Sequence, residues 1–175
     1  IGYSDNTVIQ SYLLKNNFAS IHAQTIKTSG FGVTPEGYDL TFDILKGKFP
    51  KYSIQSNSFN KSGTADGELV GGNLALIYAL LGTKYSFDFK DKILFIEDIG
   101  EKFYALDRMI MSLELAGVFR KIKGLIVGGM TLMEDEKENM NYEESFDEFS
   151  YKLIAERISK YDFPVIFGFP NGHIY

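Results

Sequence analysis

The sequence Lys92-Ile93-Leu94-Phe95-Ile96-Glu97-Asp98 is the clearest strand candidate in the chain. Four consecutive apolar residues followed by two acids predict a strand that is buried on both faces, as the strands of a parallel sheet are. The segments 122–127 and 164–168 have the same apolar character. Segments with helical spacing alternate with these strands, and the alternation predicts an α/β fold with a largely parallel sheet.

The remaining elements are predicted outward from that strand. Apolar residues recur at helical spacing in five segments, which are 8–14, 38–45, 74–81, 104–115 and 149–158. Two segments are candidate strands, a short one at 18–23 and a weakly alternating edge strand at 51–60. Residues 67–74 are rich in glycine and predict a tight turn that runs into a helix. The acidic residues 134–148 predict a solvated insertion.

Composition excludes several classes of function. The chain has 175 residues, enough for one domain or for a small domain and part of another. A net charge of −5 and the lack of a basic run argue against nucleic-acid and membrane partners. The chain has no cysteine, which excludes disulfides, thiol catalysis and cysteine-held zinc. It begins without Met and stops on an apolar stretch, so we expect an internal piece of a longer protein.

Three residues that could carry chemistry follow predicted strands or precede a predicted helix. Ser4 lies in Gly2-Tyr3-Ser4-Asp5-Asn6, where a strand would turn into a helix and present a nucleophile, although it could be an ordinary helix N-cap. Glu97 ends the most apolar strand, and its alternative is a structural ion pair or helix cap. His173 follows the last strand and could equally be a structural histidine. Their order, serine then acid then histidine, is that of α/β-hydrolases.

Two other features have weaker functional interpretations. His22 follows the short strand candidate and could contact a substrate, although a structural role is favoured. The sequence Gly71-Gly72-Asn73 at a helix start suggests a phosphate site. It lacks the lysine and hydroxyl residue of a P-loop, so a tight turn is favoured.

Taken together, the segments resemble the L,D-carboxypeptidase family of serine peptidases, which includes the microcin C immunity peptidases. Five matching pieces occur in the order of the family and span nearly the whole chain; they are residues 1–7, 71–74, 94–99, 107–109 and 168–173. The resemblance implies that Ser4 is the nucleophile, that Glu97 orients His173, and that the backbone N–H of Asp5 forms half of the oxyanion hole. The other half would come from an N-terminal domain that this sequence lacks.

The family architecture implies two α/β domains with the active site in the cleft between them. Residues 1–30 would then close the N-terminal domain with the nucleophile turn, residues 31–60 would link the domains, and residues 61–175 would form the C-terminal domain. The resemblance further implies a homodimer that acts on a small peptide. The lack of cysteine suits a reducing cytosol, so we expect a cytoplasmic protein, and we expect no cofactor or metal because every catalytic group named is a side chain or a backbone N–H.

The expected reaction is hydrolysis of the murein amide bond that precedes a terminal D-amino acid. One alternative is cleavage of a peptidyl-nucleotide antibiotic, and another is a non-catalytic α/β binding module. A metal enzyme is disfavoured because the chain has only two histidines, far apart in sequence. The chain reads His22-Ala23-Gln24 where the family usually has His-Gly-Pro, and this departure leaves the substrate open.

Overall fold

The computed structural model describes residues 1–25, 35–133 and 147–174. These residues form the helices α1 (Asn6–Lys15), α2 (Pro35–Leu45), α3 (Leu74–Leu80), α4 (Phe103–Leu115) and α5 (Glu148–Ile158). They also form the strands β1 (Leu69–Asn73), β2 (Ile93–Ile99), β3 (Gly124–Thr131) and β4 (Val165–Phe167). No helix in the described ranges is both long enough and apolar enough to traverse a bilayer.

The four strands form one sheet in the order β1-β2-β3-β4, and every neighbouring pair is parallel. Helices α3, α4 and α5 each connect one strand to the next, as parallel pairing requires. The central strand β2 is the most apolar, and Leu94 and Ile96 are fully buried between layers. The predicted α/β fold with a parallel sheet is therefore confirmed.

A β-bulge interrupts the pairing of β2 with β3 beside Glu97. Ile96 pairs with Val127 but Asp98 pairs with Met130, so β3 has one residue more than β2 between these pairs. The extra length falls at Gly128 and Gly129. Bulges of this kind bend a strand and redirect the groups next to it, and they often lie beside active sites.

Two predictions for the regions flanking the sheet were wrong. Residues 51–60 do not form an edge strand, and only Lys61 makes a single antiparallel bridge with Val165. The side chain of Asn60 accepts a hydrogen bond from the N–H of Phe167 at 2.8 Å. This N–H lies on the edge strand β4, and a further strand would have used it as a backbone donor. In the segment 18–23, only His22 pairs, in a parallel bridge with Gly2.

The glycine-rich segment 67–74 is also not a turn, because most of it is the strand β1. Gly71 has φ +130°, and a Cβ atom there would lie 1.9 Å from the carbonyl oxygen of Phe95. The glycine therefore marks a close approach of two strands. The acidic residues 134–146 lie outside the described residues, and the division into domains at residues 30 and 60 stays a prediction.

Helix α1 turns its polar side toward the protein. Its buried residues are Thr7, Gln10 and Ser11, which lie three and four positions apart on one face. The apolar residues by which the helix was predicted include Ile9 and Tyr12, and both are more than half exposed. The helix is confirmed, and its buried face is joined to β1 by a hydrogen bond from Asn73 to Thr7, while Leu14 near its end packs against the core.

The bulge depends on a hydrogen bond from α5, which gives a first prediction. The Tyr151 hydroxyl is buried and donates to the carbonyl of Gly128 at 2.8 Å. Tyr151→Phe leaves that carbonyl without its donor, and we expect the free energy of unfolding to fall by about 1 to 2 kcal/mol in denaturant titrations. Tyr104→Phe is the control, because Tyr104 is half exposed and should change stability by less than about 0.5 kcal/mol. Equal effects of the two substitutions would contradict this role.

Candidate active site

Ser4 lies in a strained turn at the start of α1. Its φ angle is +57°, in the left-handed region that residues with side chains seldom adopt. Gly2 makes the tight turn possible, because a Cβ atom there would lie 2.6 Å from Cγ of Asn6. The Asn6 side chain donates back to the carbonyl of Tyr3 at 3.2 Å. The strand expected before this turn is reduced to a single bridge between Gly2 and His22, but a strained turn that leads into a helix is typical of a serine nucleophile.

The helix start places backbone N–H groups next to Ser4. Asp5 is the N-cap residue, and its side chain makes no capping hydrogen bond. The first turn of a helix carries a partial positive charge, which favours an anion at that end. The position of the Asp5 N–H is therefore compatible with binding a negatively charged oxygen.

Glu97 and His173 are in direct contact. The Glu97 side chain is fully buried, and its Oε2 lies 2.8 Å from Nδ1 of His173. The backbone N–H of His173 donates to the same oxygen at 3.3 Å. This contact places a proton on Nδ1 and directs Nε2 of the ring away from the acid.

The loop that carries His173 is fixed to β3 where the bulge lies. The N–H of Gly129 donates to the carbonyl of Asn171 at 2.9 Å, and the Thr131 hydroxyl donates to the carbonyl of His173. Gly172 has φ +115°, and a Cβ atom there would lie 2.7 Å from Cβ of Glu97. The backbone of the loop thus packs directly on the acid, which only glycine at this position allows.

The turn that holds Ser4 meets the same ring. The rings of Tyr3 and His173 are in edge contact, with centroids 5.0 Å apart. Tyr3 directly precedes Ser4, so the structure brings the serine turn, the histidine and the acid to one place. Their catalytic roles remain a proposal.

His22 joins this group, although sequence analysis gave it only a minor role. Its Nε2 lies 3.9 Å from Oε1 of Glu97, and its ring packs on that of Phe95. Burial lowers the pKa of His22 below its ordinary value, the charge of Glu97 raises the pKa, and the charge of His173 lowers it. Gln10 also belongs to this group and was not predicted from the sequence; its Oε1 lies 3.4 Å from Nδ1 of His22.

A second buried carboxylate, that of Asp98, is linked to α1 through Asn73. The hydroxyl oxygen of Thr7 accepts a hydrogen bond from the N–H of Asn73 at 3.0 Å, and the Asn73 amide donates to Asp98 at 2.8 Å. Burial raises the pKa of Asp98 to about 7, although donors from Ile99 and Asn73 lower it. A Cβ atom at Gly72 would lie 2.5 Å from the Thr7 hydroxyl, so Thr7 occupies the space next to this glycine.

Other candidates from the sequence have structural contacts. Asp107, in a motif shared with the family, forms a two-point ion pair between α4 and α5 with Arg157, with both N–O distances at 2.8 Å. No group of three or more histidine and acidic side chains among the described residues is arranged to hold a metal ion.

Comparison with protein families gives one match that spans most of the chain. Residues 66–175 match the family described as the LD-carboxypeptidase C-terminal domain.

Individual relatives agree with this match. A Bacillus subtilis protein named as a probable murein peptide carboxypeptidase is 29% identical over 98% of this chain and 54% of its own length. The microcin C7 self-immunity protein of Escherichia coli is 27% identical over 71% of this chain and 34% of its own length. The crystal structure of a muramoyltetrapeptide carboxypeptidase from Oxalobacter formigenes superposes with a TM-score of 0.76 at 26% identity, over 98% of this chain and 57% of its own. The chain thus spans about half the length of these relatives, or less.

The packing of Gly172 on Glu97 gives a second prediction. Gly172→Ala adds a Cβ atom where the Glu97 side chain lies, so we expect unfolding to require roughly 1 to 3 kcal/mol less than in the control. The control is Gly117→Ala, which also has a positive φ, +73°, but has no atom within 4 Å of the added Cβ. Strain alone should lower the stability of the control by about 1 to 2 kcal/mol. Equal losses in thermal and denaturant unfolding would show that the loop does not pack tightly on the acid.

Proposed function

The chain belongs to the LD-carboxypeptidase family, and from that premise we propose that Ser4, His173 and Glu97 act as nucleophile, base and orienting acid of a serine carboxypeptidase. The observation that carries the proposal is the 2.8 Å contact between Oε2 of Glu97 and Nδ1 of His173. A carboxylate bound to one ring nitrogen holds the proton there, so the other nitrogen can accept the proton of a serine hydroxyl.

The proposed reaction proceeds through an acyl-enzyme. Nε2 of His173 takes the proton of the Ser4 hydroxyl while the serine oxygen attacks the carbonyl carbon of the amide. The N–H of Asp5 would bind the negative oxygen of the tetrahedral intermediate, together with a donor from the N-terminal domain that the family resemblance implies. His173 then returns the proton to the leaving amine, and water hydrolyses the acyl-enzyme by the same steps.

The charge of Glu97 favours this cycle. When His173 takes up the serine proton its ring becomes positive, and the adjacent carboxylate stabilises that charge. Because Glu97 is fully buried, solvent screens the interaction only weakly. The acid therefore both orients the base and stabilises its protonated form.

As substrate we propose a murein peptide that is cut at the amide bond before its terminal D-amino acid. Two relatives are named for murein or muramoyl peptides, and this supports the substrate class. We take the enzyme to be a homodimer, as the family resemblance implies, and to be cytoplasmic and independent of cofactor or metal, because it has no cysteine and the proposed catalytic groups all belong to the protein. A non-catalytic binding module is less well supported, because such a module would not need a strained serine whose neighbour Tyr3 contacts a histidine paired with a buried acid.

The role of Ser4 gives a third prediction. In the full-length protein, Ser4→Ala should lower kcat on a murein tetrapeptide by on the order of a million-fold, because the nucleophile is lost. Ser159→Ala is the matched control, since Ser159 is exposed and lies at the C-terminal end of α5. A serine-directed phosphonate should label the native protein and the control but not Ser4→Ala. Retention of more than about a tenth of the activity in Ser4→Ala would remove this serine from the mechanism.

The second candidate function is cleavage of a peptidyl-nucleotide, which the similarity to a microcin self-immunity protein favours. The departure at His22-Ala23-Gln24 lies beside the proposed triad and is compatible with a different pocket. We expect kcat/KM on a murein tetrapeptide to exceed that on a peptidyl-adenylate by at least about tenfold, as one well-placed polar contact can discriminate. The reverse order, with both activities lost in Ser4→Ala, would retain the mechanism and replace the substrate.

A further inference from the structure

Glu97 has one oxygen whose partner the proposed triad does not supply. Oε2 accepts from both the ring and the backbone of His173. Oε1 is equally buried, and among the described residues it accepts no hydrogen bond. A buried carboxylate oxygen without a donor is costly, so such an atom points to an interaction that forms in some state of the protein.

The group that faces this oxygen is His22. Its Nε2 is also buried and also makes no hydrogen bond within the described part of the chain. The two atoms are 3.9 Å apart, which is slightly beyond hydrogen-bond distance. Two unpaired polar atoms that face each other at this distance can bond after a shift of less than about 1 Å, and catalytic contacts are often long without substrate.

The ring of His22 is fixed from the other side. The Gln10 amide donates to the carbonyls of Gly2 and Ile21 at 2.8 and 3.2 Å, so its oxygen must face Nδ1 of His22. The backbone of residues 21–23 pairs with Gly2, which directly precedes the serine turn. His22 is thereby tied to the turn that carries the nucleophile as well as to the acid.

We propose that His22 is a positioning residue that carries a proton on Nε2 and donates it to Oε1 of Glu97, so that Oε2 stays directed at His173. The catalytic consequence rests on the proposed function, whereas the contact itself does not. The titratable groups that face His22 are Glu97 on β2 and His173 after β4. Both nitrogens of His22 face acceptors, because Oε1 of Gln10 lies 3.4 Å from Nδ1, and a neutral ring carries a single proton. The carboxylate of Glu97 is charged and therefore a stronger acceptor than the amide oxygen, which favours the proton on Nε2.

The proposed contact would prevent a specific motion of the acid. The terminal torsion of a glutamate is broad and roughly two-fold, so a carboxylate bound through one oxygen can turn. A second donor at Oε1 restricts that rotation and stabilises the ionised form. Without it, His173 would lose part of its orientation, and kcat would fall while KM stayed nearly constant.

Two substitutions separate the two nitrogens of the ring. His22→Gln places an amide N–H near the former Nε2, whereas His22→Asn places one near the former Nδ1 and leaves Glu97 without a donor. We expect His22→Gln to keep kcat on a murein tetrapeptide within roughly threefold and His22→Asn to lower it roughly ten- to a hundredfold, because small misplacements of catalytic groups have effects of this size. The rate of phosphonate labelling of Ser4 should follow the same order. Equal kcat values for the two variants would overturn the proposal.

A spectroscopic measurement decides the contact without turnover. Nitrogen-15 spectra of the histidine rings, assigned by loss of signals in His22→Asn and His173→Asn, report which ring nitrogen carries a proton. We expect His22 to carry it on Nε2, and we expect the Nδ1–H signal of His173 to shift in His22→Asn but not in His22→Gln. A His22 proton on Nδ1 alone would overturn the proposal. An unlabelled, inactive native protein would instead defeat the proposed function, while these spectra would still decide the role of His22.

Discussion

A carboxylate that is removed from water must find its partners inside the protein, and Glu97 is the carboxylate around which this structure is arranged. Its partner is His173, 76 positions later in the chain. For the two to meet, the loop after β4 must return to the end of β2. The extra residue of β3 at the bulge makes that return possible, because the N–H of Gly129 donates a hydrogen bond to the carbonyl of Asn171. The requirement of one buried charge thus explains the bulge, the loop and Gly172.

The position of Ser4 relative to this pair depends on hydrogen bonds more than on apolar packing. Thr7 of helix α1 bonds to the backbone of β1, Ser11 bonds to the backbone of the segment between α3 and β2, and Gln10 bonds to the backbone beside the serine turn. Apolar contacts would allow the helix to slide by a fraction of an ångström at little cost, because they are not directional. Hydrogen bonds restrict such sliding. A polar interface is therefore suited to a helix whose first residues must stay in register with a histidine on another element.

The sequence predicted those features that depend on local pattern. Four apolar residues before Glu97 predicted β2, and helical spacing predicted α4 to within one residue at its start. The sequence could not predict β1. A side chain at position 71 would collide with the carbonyl oxygen of Phe95, and this neighbour is distant in sequence. The sequence also could not show that Asn60 would replace an edge strand by bonding through its side chain. The helical spacing of Thr7, Gln10 and Ser11 is visible in the sequence. Only the structure shows that these polar residues form the buried face of α1.

A match to a family motif does not by itself distinguish a catalytic residue from a structural one. The two can be separated by whether the polar atoms of the residue have hydrogen-bond or ion-pair partners and whether its backbone is strained. Asp107 lies in a motif of the family, yet both of its oxygens are paired with Arg157. Full pairing of this kind is what a structural residue requires. Ser4 instead has a strained backbone, and Glu97 retains one buried oxygen that accepts no hydrogen bond from any described residue. Folding alone gives no reason to keep either feature, because both lower stability. A function that uses the strain and the unpaired oxygen supplies such a reason.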